Sequence, residues 1–500
     1  MLDLTKVARQ MQGISQHLNA ETAASRKRLE LATQLLWRSL AQQSELVQRQ
    51  QQWRDRLIFT AAVPVEPLDT RIEIPVPPKA HTVIATDGSQ MTPSHHEIAY
   101  CYLINIGRVV LHYGQSRHPF MDSLPEVFYK AEDLNISRQW GIRIEEWLGY
   151  WRTVSETVAL AELCTSWAKS QEDGGRGAQE NGSIENQTSD PPLPPLHKGG
   201  SAKNQTPDPP LPPLHKGGSA KNQTPDPPLP PLHKGGSAKN QTPDPPLPPL
   251  HKGGSAKNQT PDPPLPPLAK GGWGDPKSIV PTLAMVDGSL IYWFLEQLPS
   301  EARARILTPI FAAWEQIRTA GIPLIGYLSA SRSSEAMNFL RLPVCPHPVP
   351  NCQTFCHNLD KLPCQVLDPL RDTRFWLSQL QPGQRSPLWR SGAKILDLYG
   401  KGQSIYFCYV HVGAEIARID MPGWVAEDGV MLDRALSLML AQVQKGYGYP
   451  VTLAEAHNQA VVTGSDRARF FAMLEQQMIK AGLRNVGTSY KETRKRGSIA

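Results

Sequence analysis

The chain has 500 residues, long enough for two to four domains, and its 40% hydrophobic content suits a protein with a substantial core. A formal net charge of +6 is too mild to establish nucleic-acid binding, and seven cysteines are too few for a disulfide framework. No run of about 18 apolar residues offers a membrane-spanning helix, and the opening residues MLDLTKVARQMQGISQ lack the apolar stretch of a signal peptide. A cytoplasmic protein with reduced thiols and no membrane partner is expected.

Residues 1–56 contain no proline and a single glycine, Gly13, and Leu29, Leu31, Leu35, Leu36 and Leu40 recur at helical spacing. They read as an N-terminal helical arm of one or two long helices. After the punctuation PVPPKA, HTVIATD reads as a strand, and EIAYCYLINIGRVVLHYG as one long strand or a hairpin turning near Asn105, Ile106 and Gly107. Residues 138–168 predict a helix with Trp140, Ile144, Trp147, Trp151, Val154 and Val158 on one stripe.

The next segment repeats itself. PPLPPL recurs at 191–196, 209–214, 227–232, 245–250 and 263–268, joined by nearly unvaried HKGGSAKNQTPD text. Each unit has two leucines between prolines, too little apolar surface to offset its ordering entropy, so a solenoid is excluded and a disordered, polyproline-like insert is expected. It reads as a tolerated insertion or as a docking ligand for a proline-binding partner. With residues 171–272 set aside, 57–170 and 273–483 form one discontinuous domain, followed by a basic tail at 484–500.

Beyond the insert, SIVPTLAMVD predicts a strand, SLIYWFLEQL and the segment to Thr319 helices, IPLIGYLSAS a strand, and SSEAMNFLRL a helix behind serine caps. SIYFCYVHVG and EIARIDMP read as an antiparallel pair, and helices at 428–445, 452–462 and 465–482 close the chain. The fold class is α/β, with helices flanking a mixed sheet.

Two stretches end alike: HTVIATDGSQ at 81–90 and TLAMVDGSLI at 282–291. A strand ending in Asp sets a carboxylate at the sheet's rim, where open α/β sheets bind ligands. If the two strands are neighbours, Asp87 and Asp287 come together, and a divalent cation relieves their repulsion; oxygen donors suit Mn²⁺ or Mg²⁺. Asp-Gly is also a common turn dipeptide, so either motif alone reads as a turn.

VIATDGSQ, AMVDGSL followed by a helix, GQRSPLW at 383–389 and GYPVTLAEAH at 448–457 together resemble the NurA nuclease family. The resemblance covers roughly 80–170 and 278–483. It implies an RNase H-like core with a mixed five-stranded sheet and a Mn²⁺-dependent DNA nuclease with 5′→3′ exonuclease and single-strand endonuclease activity. It also implies a homodimer that works with HerA, a hexameric DNA-translocating ATPase, in resecting double-strand ends. Residue by residue, it places the catalytic and metal-holding groups at Asp87, Asp287, a Glu on the intervening helix, and His457. Arg152-Thr153-Val154-Ser155-Glu156 matches the family's R-x-x-x-E pattern, which favours Glu156; Glu162 is the rival, and Glu145 and Glu146 read as solvated. Where family members often carry a lysine after the strand IPLIGYLSAS, this chain has Arg332.

Read from its residues, Thr452 and Glu455 form a capping box that starts a helix near Leu453. His457 then shares an apolar face with Leu453, Ala460 and Val461, where a histidine is ordinarily a core residue. Arg332, Arg385, Tyr447, Tyr449 and the basic tail are the candidate DNA contacts, the tyrosines as base-stacking platforms. Cys345, Cys352, Cys356 and Cys364 fall in one short loop spaced C-x6-C-x3-C-x7-C, with His347 and His357 among them. They read as packed reduced thiols or as a structural Zn²⁺ site, with an iron–sulfur cluster a further option. Two readings compete with the DNA nuclease: a catalytically silent adaptor for a translocase, and an RNase H-like enzyme acting on RNA, which no residue pattern separates from DNA.

Overall fold

The computed structural model describes residues 4–93, 99–176, 280–356 and 362–482. The proline-rich repeats and the basic tail lie outside the described residues. The sheet centres on β1 (His81–Met91), β2 (Tyr102–Tyr113), β3 (Phe120–Phe128), β4 (Thr282–Asp287) and β5 (Leu324–Leu328). β1, β2 and β3 form an antiparallel meander; β4 pairs parallel to β1, and β5 parallel to β4. The order β3-β2-β1-β4-β5, with the second strand antiparallel, is the RNase H-like arrangement expected from the sequence.

That five-stranded core sits within a larger sheet. β7 (Ile416–Pro422) adds antiparallel to β5, and β6 (Ile405–His411) pairs with β7. Two-residue strands extend the sheet further, to eleven strands among the described residues.

β1 and β4 feed two cores by strand alternation. Val83 and Ala85 of β1, with Leu283 and Met285 of β4, pack with Leu436 and Met439 of α6 (Gly429–Lys445) and with Leu453 and Ala456 of α7 (Val451–Ala460). Ile84 and Ala284 face the other way, into Trp147 and Leu160 of α3 (Ile144–Arg176) and Ile310 and Trp314 of α4 (Ser300–Thr319). The near-continuous burial of both strands follows from having helices on both faces.

The N-terminal arm comprises α1 (Leu4–Leu40) and α2 (Gln43–Trp53). Ala32, Leu35, Leu36, Leu46 and Trp53 build a third core with Phe339, Trp376 and Trp389. The leucine spacing at 29–40 thus marks a packed helix face.

One alternative is decided and three local expectations are corrected. The segment 102–113 is one straight strand with no hairpin at Gly107; the Cβ that glycine lacks would lie 2.2 Å from the Ala456 carbonyl oxygen, so α7 sits directly on it. Trp140 belongs to a 3₁₀ turn (Ile136–Trp140), and α3 begins at Ile144. Only one of the two serines caps α5 (Glu335–Leu340): Ser333 Oγ accepts from the Glu335 amide at 3.2 Å, while Ser334 makes no side-chain cap and the buried Asp372 carboxylate accepts from the Ala336 and Met337 amides. Nor do Thr452 and Glu455 form a capping box. α7 starts at Val451, and Thr452 is buried, its hydroxyl donating to Gln442 Oε1. A capping box does open the next helix, α8 (Gly464–Lys480), from Thr463 and Asp466.

Candidate active site

β1 and β4 pair in parallel up to Thr86 and Val286, so Asp87 and Asp287 follow side by side at the sheet's rim. Both continue the series 83-85-87 and 283-285-287 and therefore face α7. The two Asp-Gly-Ser motifs differ in form. The second ends its strand, and Gly288 turns away at φ +107. The first is not a turn: Asp87, Gly88 and Ser89 continue β1 and pair with Gly107, Ile106 and Asn105 of β2. A second antiparallel neighbour carries β1 past the point where the parallel pairing stops.

Glu156 enters from the opposite face, on α3, which is tied to β1 by a hydrogen bond from Thr86 Oγ1 to the Glu156 carbonyl oxygen at 2.9 Å. Its carboxylate reaches the rim above Gly88, where an added Cβ would lie 2.5 Å from Glu156 Oε1 and 2.8 Å from Arg152 Cγ. Glycine at 88 opens the gap through which this carboxylate joins the other two. The rival Glu162 is exposed, as are Glu145 and Glu146, so α3 contributes Glu156 alone.

Each carboxylate has its own partner. His457 Nδ1 lies 2.8 Å from Asp87 Oδ2, Arg152 Nε lies 3.2 Å from Glu156 Oε1, and the Tyr449 hydroxyl donates to Asp287. Burial raises the Glu156 carboxyl from 4.5 to about 8; Arg152 opposes this, while Asp87 and Asp287 add to it. Burial likewise raises Asp287, with Asp87 pushing the same way and the Tyr449 hydrogen bond pulling it down. Glu156 and Asp287 thus give up their protons less readily than they would apart.

His457 departs from the helical-wheel expectation. Its side chain is 67% exposed while Leu453 and Ala460 are buried, and Val461 is also exposed. The register of α7 is fixed at its C-terminus by Asn105 Nδ2, which donates to the Ala460 and Gln459 carbonyls at 2.8 and 3.2 Å, and by Ser89, which donates to Ala460. A buried Asn in mid-strand was the available sequence signal for this anchor.

The candidate DNA contacts divide. Arg332 is exposed beside a cavity of about 430 Å³ lined by Ser289, Trp293, Ser331 and Ser333, next to the end of β4. Tyr447 is fully exposed. Tyr449 is not a stacking platform, because its hydroxyl is committed to Asp287 and its ring meets Tyr327 edge-on. Arg385 is withdrawn from solvent at 4% exposure and is held by both Glu66 oxygens at 2.7 and 2.9 Å, so its guanidinium is not presented to a phosphate.

Among the described residues, no group of three or more His, Cys, Asp or Glu side chains already forms a metal-holding set. The donor chemistry nonetheless fits a hard divalent cation. Asp87, Glu156 and Asp287 offer carboxylate oxygens at a partly buried rim, and Glu156, raised chiefly by burial and further by the two aspartates, is a carboxyl whose charged form a cation would stabilise.

An α/β fold with a mixed sheet and an acidic cluster at the rim of its parallel strands defines the class. The NurA domain model matches residues 81–176 and 280–462, more than half of the chain, and the protein belongs to the NurA family. Among solved structures, the crystal structure of the NurA nuclease from Sulfolobus solfataricus matches with a TM-score of 0.41 and 11% identity, over 96% of this chain and 98% of that one. No curated protein matches the chain. Family membership supports a nuclease role.

Proposed function

We propose that the protein is a Mn²⁺- or Mg²⁺-dependent deoxyribonuclease that hydrolyses phosphodiester bonds at DNA ends and in single strands. The convergence of Asp87, Glu156 and Asp287 from two strands and one helix carries this reading. These three would hold the cation. When bound, it would supply Lewis-acid activation of water and charge neutralisation at the scissile phosphate. The chain's own groups divide the remaining work. His457, exposed and hydrogen-bonded through Nδ1–H to Asp87, leaves Nε2 outside that pair; as the imidazolium it would donate from Nε2 to a phosphate oxygen or to the leaving oxygen. Arg152 holds the Glu156 carboxylate in place, and Tyr449 holds Asp287. Arg332 and Tyr447 stand outside this ring, placed to meet the backbone and bases of an incoming strand.

Our reading extends to a homodimer acting with a HerA-type hexameric translocase in end resection. Edge strand β3 exposes Phe120, Met121, Leu124 and Val127 by 40–45%, an apolar edge suited to a second copy.

The deciding experiment is cleavage of an end-labelled single strand with Mn²⁺, wild type beside Asp87→Ala and Asp287→Ala. Cutting by the wild type alone, with folding intact in both variants, supports the nuclease. No cutting by the wild type with Mn²⁺ or Mg²⁺, with or without a translocase, would leave the acidic rim structural and favour the adaptor.

A further inference from the structure

Asp287 ends β4, and the chain then turns at Gly288 and crosses over β5. The crossing is close: a Cβ on Gly326 would lie 2.4 Å from the Gly288 carbonyl oxygen. Beyond it, Ser289 Oγ donates to Asp420 Oδ2 of β7 at 2.6 Å and accepts from the Ile291 amide at 2.9 Å. The Tyr399 hydroxyl holds the next residues, accepting from the Tyr292 amide at 2.8 Å and donating to the Leu290 carbonyl oxygen at 3.1 Å. Leu290, Ile291, Tyr292 and Leu295 are buried, yet Trp293 among them is 43% exposed. A segment anchored this firmly presents its indole at a fixed place.

Ser289 and Trp293 both line the cavity of about 430 Å³ beside Arg332. Buried ionic groups shape its floor. Arg418 of β7 donates from Nε to Asp420 Oδ1 at 2.7 Å, and from Nη1 to Ser333 Oγ and Glu335 Oε1 at 2.8 Å each. Ser333 donates in turn to Asp372 Oδ2 at 3.2 Å. This network ties down both loops that flank the cavity, the one after β4 through Ser289 and the one after β5 through Ser333. Buried ion pairs add little net stability over an apolar filling; what this one supplies is a pair of fixed walls around an open space. Arg418 itself is committed to these partners and to the Phe407 ring at 3.8 Å, so it is not offered to a ligand.

A second cavity, of about 210 Å³, adjoins the first. Thr60 and Trp293 line both, so the indole stands where they meet. The second cavity continues past Lys394 to Arg54, which Asp397 holds at 2.7 Å. Arg332 on one side of the indole and Lys394 on the other are exposed, and Glu296 is an exposed acid on the same wall. An exposed indole between two cations matches a single strand, which offers a base face to stack and phosphates on either side. With an acid among them the charge is modest, so stacking sets the affinity here more than charge does.

We propose that this groove seats a single strand leading to the acidic rim, with one base stacked on Trp293 and the adjoining phosphates met by Arg332 and Lys394. The inference rests on the nuclease reading for the identity of the ligand. It makes Trp293 the group that selects single strands, because a base inside a duplex has no free face to give the indole.

The test is binding and photocrosslinking of a short single-stranded oligonucleotide carrying 5-iodouracil, on the full chain with Asp87→Asn and Asp287→Asn. Mass spectrometry of the crosslinked peptides should place the adduct on Trp293. Adding Trp293→Ala should weaken binding about tenfold, the scale of one lost base stack, with the salt slope unchanged, and Trp293→Phe should restore most of the affinity. Should Trp293→Ala fail to fold, the crosslink on the intact indole decides. No binding by the double-asparagine protein, adducts confined to other residues such as Tyr447, or undiminished binding in Trp293→Ala would each overturn the proposal. The readout needs no cutting: a wild type that never cleaves, beside a Trp293 adduct, would end the nuclease reading and leave the groove standing.

Discussion

Asp87 and Asp287 occupy equivalent positions on adjacent parallel strands, one residue beyond the paired Thr86 and Val286, and both point to the face covered by α7. Groups that hold one cation act as a unit, so their losses should not add. Asp87→Asn and Asp287→Asn are each expected to lower the cleavage rate by roughly 10³-fold, a scale set by charge stabilisation and acid–base terms together, and the double variant to be scarcely slower than either. Single-turnover cleavage of the four proteins measures this. A double variant slower by the product of the two single effects would mean that the aspartates work independently.

Gly88 offers a finer probe because it has no side chain that could itself hold a cation. In Gly88→Ala the new methyl carbon would meet Glu156 Oε1 at 2.5 Å and Arg152 Cγ at 2.8 Å. Glu156 and Arg152 must swing away from the rim, while Asp87, Asp287 and the strand pairing keep their places. The expected result is a loss of about 10²-fold in cleavage, of the size that follows a ligand misplaced by an ångström. Circular dichroism should stay unchanged. Wild-type activity in Gly88→Ala would remove Glu156 from the site.

Much of this was legible in the sequence, for physical reasons. Near-continuous apolar runs marked β1 and β4 because each strand is covered by helices on both faces, and the repeated Asp-Gly-Ser marked the two aspartates. Glu156 was not separable from Glu162 on pattern alone, since helical spacing leaves both near the stripe; what selects Glu156 is the missing side chain at Gly88 across the interface. The helical wheel alone set His457 on the apolar face and only the resemblance set it in the site; its place beside Asp87 depends on the anchors from Asn105 and Ser89, tertiary contacts that no helical wheel shows. Arg385 shows the limit of charge as a signal: one glutamate 319 positions away in the chain turns a candidate phosphate contact into a structural pair.

The pH dependence of stability follows from Glu156. A carboxyl whose folded pKa is raised keeps a proton that the unfolded chain has lost, so stability falls as pH rises from about 4.5 to about 8. Glu156→Gln removes that penalty. In metal-free buffer the variant is expected to match the wild type near pH 4 and to exceed it by roughly 2–4 kcal/mol at pH 8, a scale set by the pKa shift. Added Mn²⁺ should raise the melting temperature of the wild type and leave Glu156→Gln nearly unmoved. Denaturant titrations at several pH values decide it; a variant equally destabilised at every pH would make Glu156 an ordinary structural residue.

Arg332 and Arg385 separate affinity from folding. Arg332 is exposed beside the cavity at the end of β4, so Arg332→Ala should lessen the salt dependence of single-strand binding by about 0.7 in log–log slope, the share of one phosphate contact. Its thermal stability should not change, as expected for an exposed side chain. Arg385 is the reverse case. Truncating it strands the Glu66 carboxylate, which also accepts from the Leu388 amide, and should cost about 3 kcal/mol of stability. The salt slope of the Arg385→Ala protein that remains folded should equal that of the wild type. Binding isotherms at several salt concentrations, set beside thermal melts, test both arms. A reduced slope in Arg385→Ala would mean that the buried pair opens to bind DNA.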